Sequence, residues 1–455
     1  MPVAEIPFVE EFQAALGAPA GVTGLLSVSG SGDLPSAYRV TDLAVAAIGV
    51  AGLAAAELVR SATGAAPEVT VGRELASTWF GSAVEPIGWA LPSVWDPLAK
   101  NYRAKDGWIR LHTNAPHHRD AALSVLGTSG DYFAVQRAVA GWPAGQLEDA
   151  IVAAGGCAAV MRSRREWLAH PQGAAVAGEP LIEWREGISG PAGAAWTVTA
   201  ECPLAGLRVL DLTRVIAGPV ATRFLAALGA DVLRVDPPGW HEAALVPNMT
   251  LGKRAARLDA KTEEGASRLR ELLADADVVV HGYRDGALDG LGLDPAARQH
   301  LRPGLIDVSL DAYGFSGPWA GRRGFDSLVQ MSSGIAEHGM EWAGSDGPTP
   351  LPVQALDHAT GYLLAAATLR ALTMHRADGV GRSVRTSLAR VGQALAEAGD
   401  LPPDGALVRR VRPSEPIDTP WGDALLLRPP LEITGTAFRF DRPPRDLGTD
   451  EPTWG

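Results

Sequence analysis

Residues 203–238 read PLAGLRVLDLTRVIAGPVATRFLAALGADVLRVDPP. Leu207 to Leu212 is a short apolar run with β-branched and aliphatic residues, which predicts a buried strand. Ala217-Gly218-Pro219 supplies a turn, and Val220 to Leu228 has the apolar spacing of a helix. Gly229-Ala230 ends that helix, and Asp231 to Val235 predicts a second strand. Strand, helix and strand in this order form a β-α-β unit, which demands a parallel sheet and predicts a doubly wound α/β domain. Downstream the alternation continues: a helix over Gly265 to Ala274, a strand over Asp277 to His281, a helix over Pro295 to His300 and a strand over Leu305 to Leu310. Asp236 stands near the place of a ribose-binding acid, but the first turn reads VIAGPVA rather than GxGxxG. Without those glycines the backbone cannot approach a dinucleotide pyrophosphate in the usual way.

The sheet pattern leads into Pro348 to Arg370, PTPLPVQALDHATGYLLAAATLR. Pro348, Pro350 and Pro352 impose an extended approach. Ala359 to Leu372 is rich in Ala and Leu and predicts a buried helix. Asp357 falls at its start. One reading makes Asp357 an N-cap, since its carboxylate can accept orphan N–H groups. The other makes it a nucleophile, kept ionised by the positive end of the helix.

Composition sets the outer limits. The chain has 455 residues, a net charge of −12 and only two cysteines, Cys157 and Cys202, without metal-ligand spacing. The length predicts two or three domains, and the acidity argues against nucleic-acid or anionic-membrane partners. The cysteine count excludes a disulfide scaffold and fits a reducing compartment. The N-terminus has no basic region of the signal-peptide type, and the apolar run Leu43 to Ala56 is short for a membrane span; a cytoplasmic location is the expectation.

Several motifs in order resemble the family III CoA-transferases, the group with formyl-CoA transferase, carnitine CoA-transferase and α-methylacyl-CoA racemase. They are the opening strand-turn-helix-strand, NMTLGKRAARLD (Asn248 to Asp259), YRDGALDGLGL (Tyr283 to Leu293), YGFSGP (Tyr313 to Pro318), GFDSLVQMSSG (Gly324 to Gly334) and GRSVRTSL (Gly381 to Leu388). The resemblance implies that Asp357 is the catalytic nucleophile and that acyl-CoA and a carboxylic acid are the substrates. It implies no metal and no permanently bound cofactor, coenzyme A being a substrate. It makes Lys253, Arg254 and Arg284 candidates for the CoA phosphates, and it predicts an interlocked homodimer unless the N-terminal copy supplies the second unit within the chain. Backbone N–H groups near the helix start are the expected oxyanion donors. Gly282 and Gly290 stand where many members carry Asn and Arg, which weakens the expected grip on CoA. Phe325 stands where racemases carry an acid/base histidine, which disfavours racemisation. A non-catalytic partner subunit is the alternative from a different class.

The expected organisation has four parts. Residues 1–94 form a degenerate copy of the aspartate-helix segment behind a loose lead, and 95–190 a small α+β domain whose DGWI strand and HPQ motif also resemble the family. Residues 203–400 form the Rossmann-like domain, and 401–455 a C-terminal strap. The later part of 173–202 reads as a linker. Gly24 to Arg73 pairs with Gly334 to Leu388 at an offset of 315 (357 − 42), matching Asp42 to Asp357. Asp42, lacking the proline-rich approach, is expected to be a helix cap.

Overall fold

The computed structural model describes residues 6–193, 195–284, 286–401 and 414–455. The first residues of the expected lead and residues 402–413 of the expected strap lie outside them.

The predicted β-α-β unit opens a seven-stranded sheet. Its order is Arg254–Arg257, Asp231–Asp236, Arg208–Leu212, Val278–His281, Ile306–Asp311, Val380–Ser387 and Glu183–Ser189. Every neighbouring pair is parallel except the last. Val209, Val232, Val278, Val280 and Val308 are sealed from solvent, as strands covered on both faces require. The last strand corrects the sequence reading. Glu183–Ser189 lies at the end of the expected small domain, beside the expected linker, yet it pairs antiparallel with Val380–Ser387, setting Trp184 opposite Val384. As an edge strand with few fully buried side chains it leaves little hydrophobic alternation to read.

Residues 98–160 gather round an apolar core of their own, including Tyr102, Ile109, Leu111, Val135, Leu147 and Ile151. A three-stranded antiparallel sheet backs it, with Trp108–Leu111 in the centre. The lead is more ordered than expected: Val9–Ala15 is a helix whose Val9 and Phe12 are fully buried.

The two aspartate segments fold alike. Val40–Thr63 and Ala355–Asp378 are both helices of 24 residues, and both carry the aspartate at the third position. Both stop at a left-handed glycine, Gly64 at φ 76° and Gly379 at φ 71°, where a side chain would be strained. The following strands end, and the next helices begin at Arg73 and Leu388, at that same spacing. In each copy the strand after the helix lies parallel to the strand before it, Val69 opposite Leu26 and Val384 opposite Val308. The Val40–Thr63 helix is apolar and long enough to cross a membrane by composition, but it is buried inside the protein against the Ala355–Asp378 helix. Arg370 and Glu57 bridge the two helices at 2.7 Å.

The closing strands are exchanged between the copies. Glu183–Ser189 follows the first copy in the chain and completes the sheet of the second. Leu431–Ile433 follows the second copy and pairs antiparallel with Val69–Gly72 of the first. Glu183 lies opposite Arg385, and Glu432 opposite Thr70, in equivalent registers. The expected strap also forms a hairpin, Ser414–Thr419 with Gly422–Leu427, laid against Val84–Pro86.

Asp42 is not a cap. Arg39 is the N-cap residue and its side chain makes no capping bond. The Asp42 carboxylate instead bonds Arg73 at 2.7 Å and Arg39 at 3.4 Å, and Arg73 also pairs with Asp33. Arg73 occupies the position that Leu388 holds in the other copy, so a guanidinium fills the space beside this aspartate. Asp42→Asn should therefore cost about 2 kcal/mol, because Arg73 is buried and would keep only Asp33 as a charge partner. The expected outcome is a lower thermal midpoint at unchanged turnover. Activity lost with stability intact would make the first copy catalytic.

Candidate active site

The site is built where the second copy's aspartate helix begins. Gln354 is the N-cap residue of Ala355–Asp378, and its side chain makes no capping bond. The acceptor comes from another helix. Asp326, first residue of Asp326–Ser332, accepts the Asp357 backbone N–H at Oδ2 (3.0 Å) and also bonds the Leu356 backbone. Gln330, one turn on, donates to Asp326 Oδ1 and accepts the Leu351 N–H at 2.8 Å. This clamp fixes the proline-rich approach. It also removes the capping role from Asp357, whose side chain is left to face a cavity.

The positive helix end does not set the ionisation of Asp357. Burial raises its carboxyl well above the ordinary value, and the neighbouring Asp326 raises it further. Asp326 is pushed up to about 6, by burial against the bonds it accepts. Two carboxyl groups in one buried site cannot both ionise freely.

The cavity has a volume of about 360 Å³. One wall is the turn from Leu212 to Gly218, at the C-terminal end of a central strand. Val215 adopts φ 66°, a conformation costly for a β-branched residue, and its N–H is held by Glu242 at 2.9 Å. A Cβ on Gly218 would lie 2.3 Å from Thr213, so the turn closes only with glycine there. Trp240, Tyr283 and Arg284 line it as well, as do His117, His118, Arg323 and Phe325.

Of the three cations expected at the CoA phosphates, only Arg284 lines this cavity. Lys253 is fully buried and donates to Asp211 Oδ2 (2.9 Å), the Pro219 carbonyl (2.9 Å) and Thr222 Oγ1 (2.6 Å). Burial pushes its ammonium down to about 8, against the pull of Asp211. Its place is behind the turn, tying the first strand to the helix that follows. Arg254 lies on the edge strand and pairs with Asp231 at 2.8 Å. Both had the motif but not the position: a buried strand-edge cation and a free one look the same in sequence.

Arg214 and Arg323 were missed by sequence reading. Neither pairs with a carboxylate among the described residues. Arg214 lies over Trp240 (4.9 Å) and Tyr283 (5.3 Å) and bonds the Tyr283 hydroxyl at 3.1 Å. Asp326 was visible within GFD, but its capping bond joins residues far apart in the chain. His118 comes from the 98–160 unit, and no local signal ties it to Asp357. Gly282 lines the cavity, while Gly290 is exposed with open space around it.

Residues 204–399 match the family described as CoA-transferase family III. The chain is 34% identical over 213 residues to a probable fatty acyl-CoA transferase, Rv3272, of Mycobacterium tuberculosis, covering 42% of this chain and 52% of that protein. It is 34% identical over 212 residues to a succinate–glutarate CoA-transferase of Agrobacterium fabrum, with the same two shares, 42% and 52%. A crystal structure of Rv3272 in an orthorhombic form is 36% identical over 43% of this chain and 56% of that chain, at a TM-score of 0.40. The chain thus spans about half the length of these curated relatives. Six of the seven strands, the strained turn and the clamped aspartate fall within residues 204–399, the segment that is similar to CoA-transferase family III.

Proposed function

We propose that the chain transfers CoA between an acyl-CoA thioester and a carboxylic acid, with Asp357 as the nucleophile. The observation that carries this reading is a carboxyl at a helix start that caps nothing and opens on a cavity lined by Arg214 and Arg323, which have no carboxylate partner among the described residues. An Asp357 oxygen attacks the thioester carbon; the C–S bond breaks, giving a mixed acyl-aspartyl anhydride and CoA thiolate. The thiolate attacks the aspartyl carbonyl, the anhydride C–O bond breaks and the first acid leaves. The resulting aspartyl-CoA thioester is then attacked by the acceptor carboxylate, forming a second anhydride and the thiolate again. Thiolate attack on the acceptor's carbonyl makes the new acyl-CoA and restores Asp357. Each bond formed is matched by one broken, and neither water nor a net proton is consumed. Covalent catalysis replaces one exchange between weak reactants by accessible steps.

Arg214, over the faces of Trp240 and Tyr283, and Arg284 on the same cavity suit the phosphates and base of CoA. They offset the charge missing at Gly282 and Gly290. Burial of Asp357 keeps water from the anhydride. Racemisation needs a base strong enough to take an α-proton. Phe325 has none, and the nearby His118 is pushed down to about 4 by burial. A second transferase unit is supplied within the chain by the first copy, whose aspartate is held by Arg73; we propose that no homodimer is required.

Asp357→Asn should lower transfer by about three orders of magnitude or more, with the fold retained. In the unmodified protein, acyl-CoA should leave a hydroxylamine-sensitive mass increase on the peptide carrying Asp357; no adduct there would refute the nucleophile assignment. The same variant should change stability in a pH-dependent way. Because the folded-state pKa of Asp357 is raised, the protonated carboxyl favours the fold, and that contribution disappears as pH rises through the raised value. Asp357→Asn should thus gain more in thermal midpoint over the parent at pH 8 than at pH 5.

Activity should rise with pH, since attack needs the Asp357 carboxylate. Asp326→Asn keeps an oxygen for the Asp357 N–H but removes the neighbouring charge, so the rising limb of donor kcat/KM should move to lower pH. A limb that stays in place would show that Asp326 does not tune the nucleophile.

A further inference from the structure

His117 and His118 stand near the start of the helix Pro116–Leu126 and line the cavity. His118 is only 4% exposed, yet neither ring nitrogen has a hydrogen-bond partner. Burial pushes its pKa down to about 4, helped by His117 and Arg323, so the ring is neutral near pH 7. A neutral imidazole offers one donor and one acceptor, and buried groups of this kind are normally paired. The ring is firmly placed. It meets Phe325 edge to face with centroids 5.9 Å apart and lies 4.1 Å from His117. Phe325 is fixed in turn by stacking on His112 at 3.7 Å.

Arg323 adjoins this pair and depresses the pKa of both histidines. Its only hydrogen bond among the described residues is a long one, 3.4 Å, to the Gly155 carbonyl. The next residue back is used quite differently. Arg322 pairs with Glu148 and bonds the Ala158 carbonyl, both at 2.9 Å, and lies 3.9 Å over Trp319. One arginine of the pair therefore holds the two folded units together, and the other presents its charge to the cavity. An unpaired guanidinium and an unpartnered imidazole N–H on one wall are complementary to an anion. Asp357 is on the same cavity, and a volume of about 360 Å³ suits a short chain between them.

We propose that His118 and Arg323 recognise a second carboxylate on the substrate acid, so that this chain selects short dicarboxylic acids. The assignment rests on the transferase reading of the site. The carboxylate undergoing transfer lies at Asp357, and the far one is held by the Arg323 guanidinium and the His118 N–H. Arg214 and Arg284, on the same cavity, are left to CoA. A monocarboxylic acid of equal length would leave both groups unpaired, and sites built to bond a polar group reject analogues that lack it.

The test is calorimetric titration of the full chain, free of CoA, with succinate, glutarate and butyrate. Succinate or glutarate should bind at least about tenfold more tightly than butyrate. His118→Phe, which keeps the ring volume, and Arg323→Gln should each remove most of that preference, with thermal unfolding used to confirm the fold. Equal binding of mono- and dicarboxylates by the parent protein would overturn the proposal, as would a preference that survives both substitutions. Arg323→Gln decides the matter should His118→Phe fail to fold. A separate arm follows the Asp357 adduct with butyryl-CoA and succinyl-CoA. Dicarboxylate preference without any adduct would support the recognition site and refute the transferase reading. An adduct with butyryl-CoA but no dicarboxylate preference would do the opposite.

Discussion

The site depends on one hydrogen bond, from the Asp357 backbone N–H to the Asp326 carboxylate at 3.0 Å. A helix start must have its N–H groups satisfied, and an aspartate in the first turn is the usual supplier. Here the acceptor arrives from another helix. That substitution frees the Asp357 side chain, but it places a second carboxyl next to it in a buried site. The consequence is a carboxyl that ionises reluctantly. Reactivity and difficulty have the same origin: a carboxylate stripped of hydrogen bonds and water is a stronger nucleophile and a costlier anion.

The duplicated helix makes that geometry tolerable. Ala355–Asp378 is nearly all buried, which a single sheet face could not achieve. Its other side is covered by Val40–Thr63, its own counterpart, and by the helix after the first strand. A Cβ on Gly361 would lie 2.5 Å from the Ala217 carbonyl, so that last contact is a close backbone approach possible only with glycine. The exchange of closing strands adds a topological reason for the two copies to stay together. Neither sheet is complete without a strand that the chain delivers only after passing through the other copy. The two segments share a scaffold but surround their aspartates differently. Leu388 leaves space beside Asp357 where Arg73 fills it beside Asp42.

The sheet was legible because its strands are sealed on both faces and so nearly continuous in apolar residues; Val278–His281 is typical. The likeness of the two aspartate segments was legible because both helices have 24 residues, with the aspartate at the third position and a glycine at the end. What stayed hidden depends on partners distant in sequence. Glu183–Ser189 has an edge strand's weak pattern. Lys253 reads as a surface cation until Asp211 is seen 2.9 Å away. Asp42 looks like a cap because the arginine that claims it lies a helix and a strand further on. His118 and Asp357 share a cavity only because the 98–160 unit docks over the end of the sheet.

Charge was the least readable property and is the most informative one in the structure. A chain of net charge −12 should repel an anionic substrate at long range. At the cavity the balance is local. Arg322 is neutralised by Glu148, Arg254 by Asp231 and Lys253 by Asp211, so their charges are absorbed by the fold. Arg214 and Arg323 lack such counter-ions among the described residues, and Arg284 is exposed beside them. An unpaired, partly buried cation costs stability that pairing would recover. Such cations on one cavity fit the proposed sites for CoA and a carboxylate, whose anions would supply the missing partners.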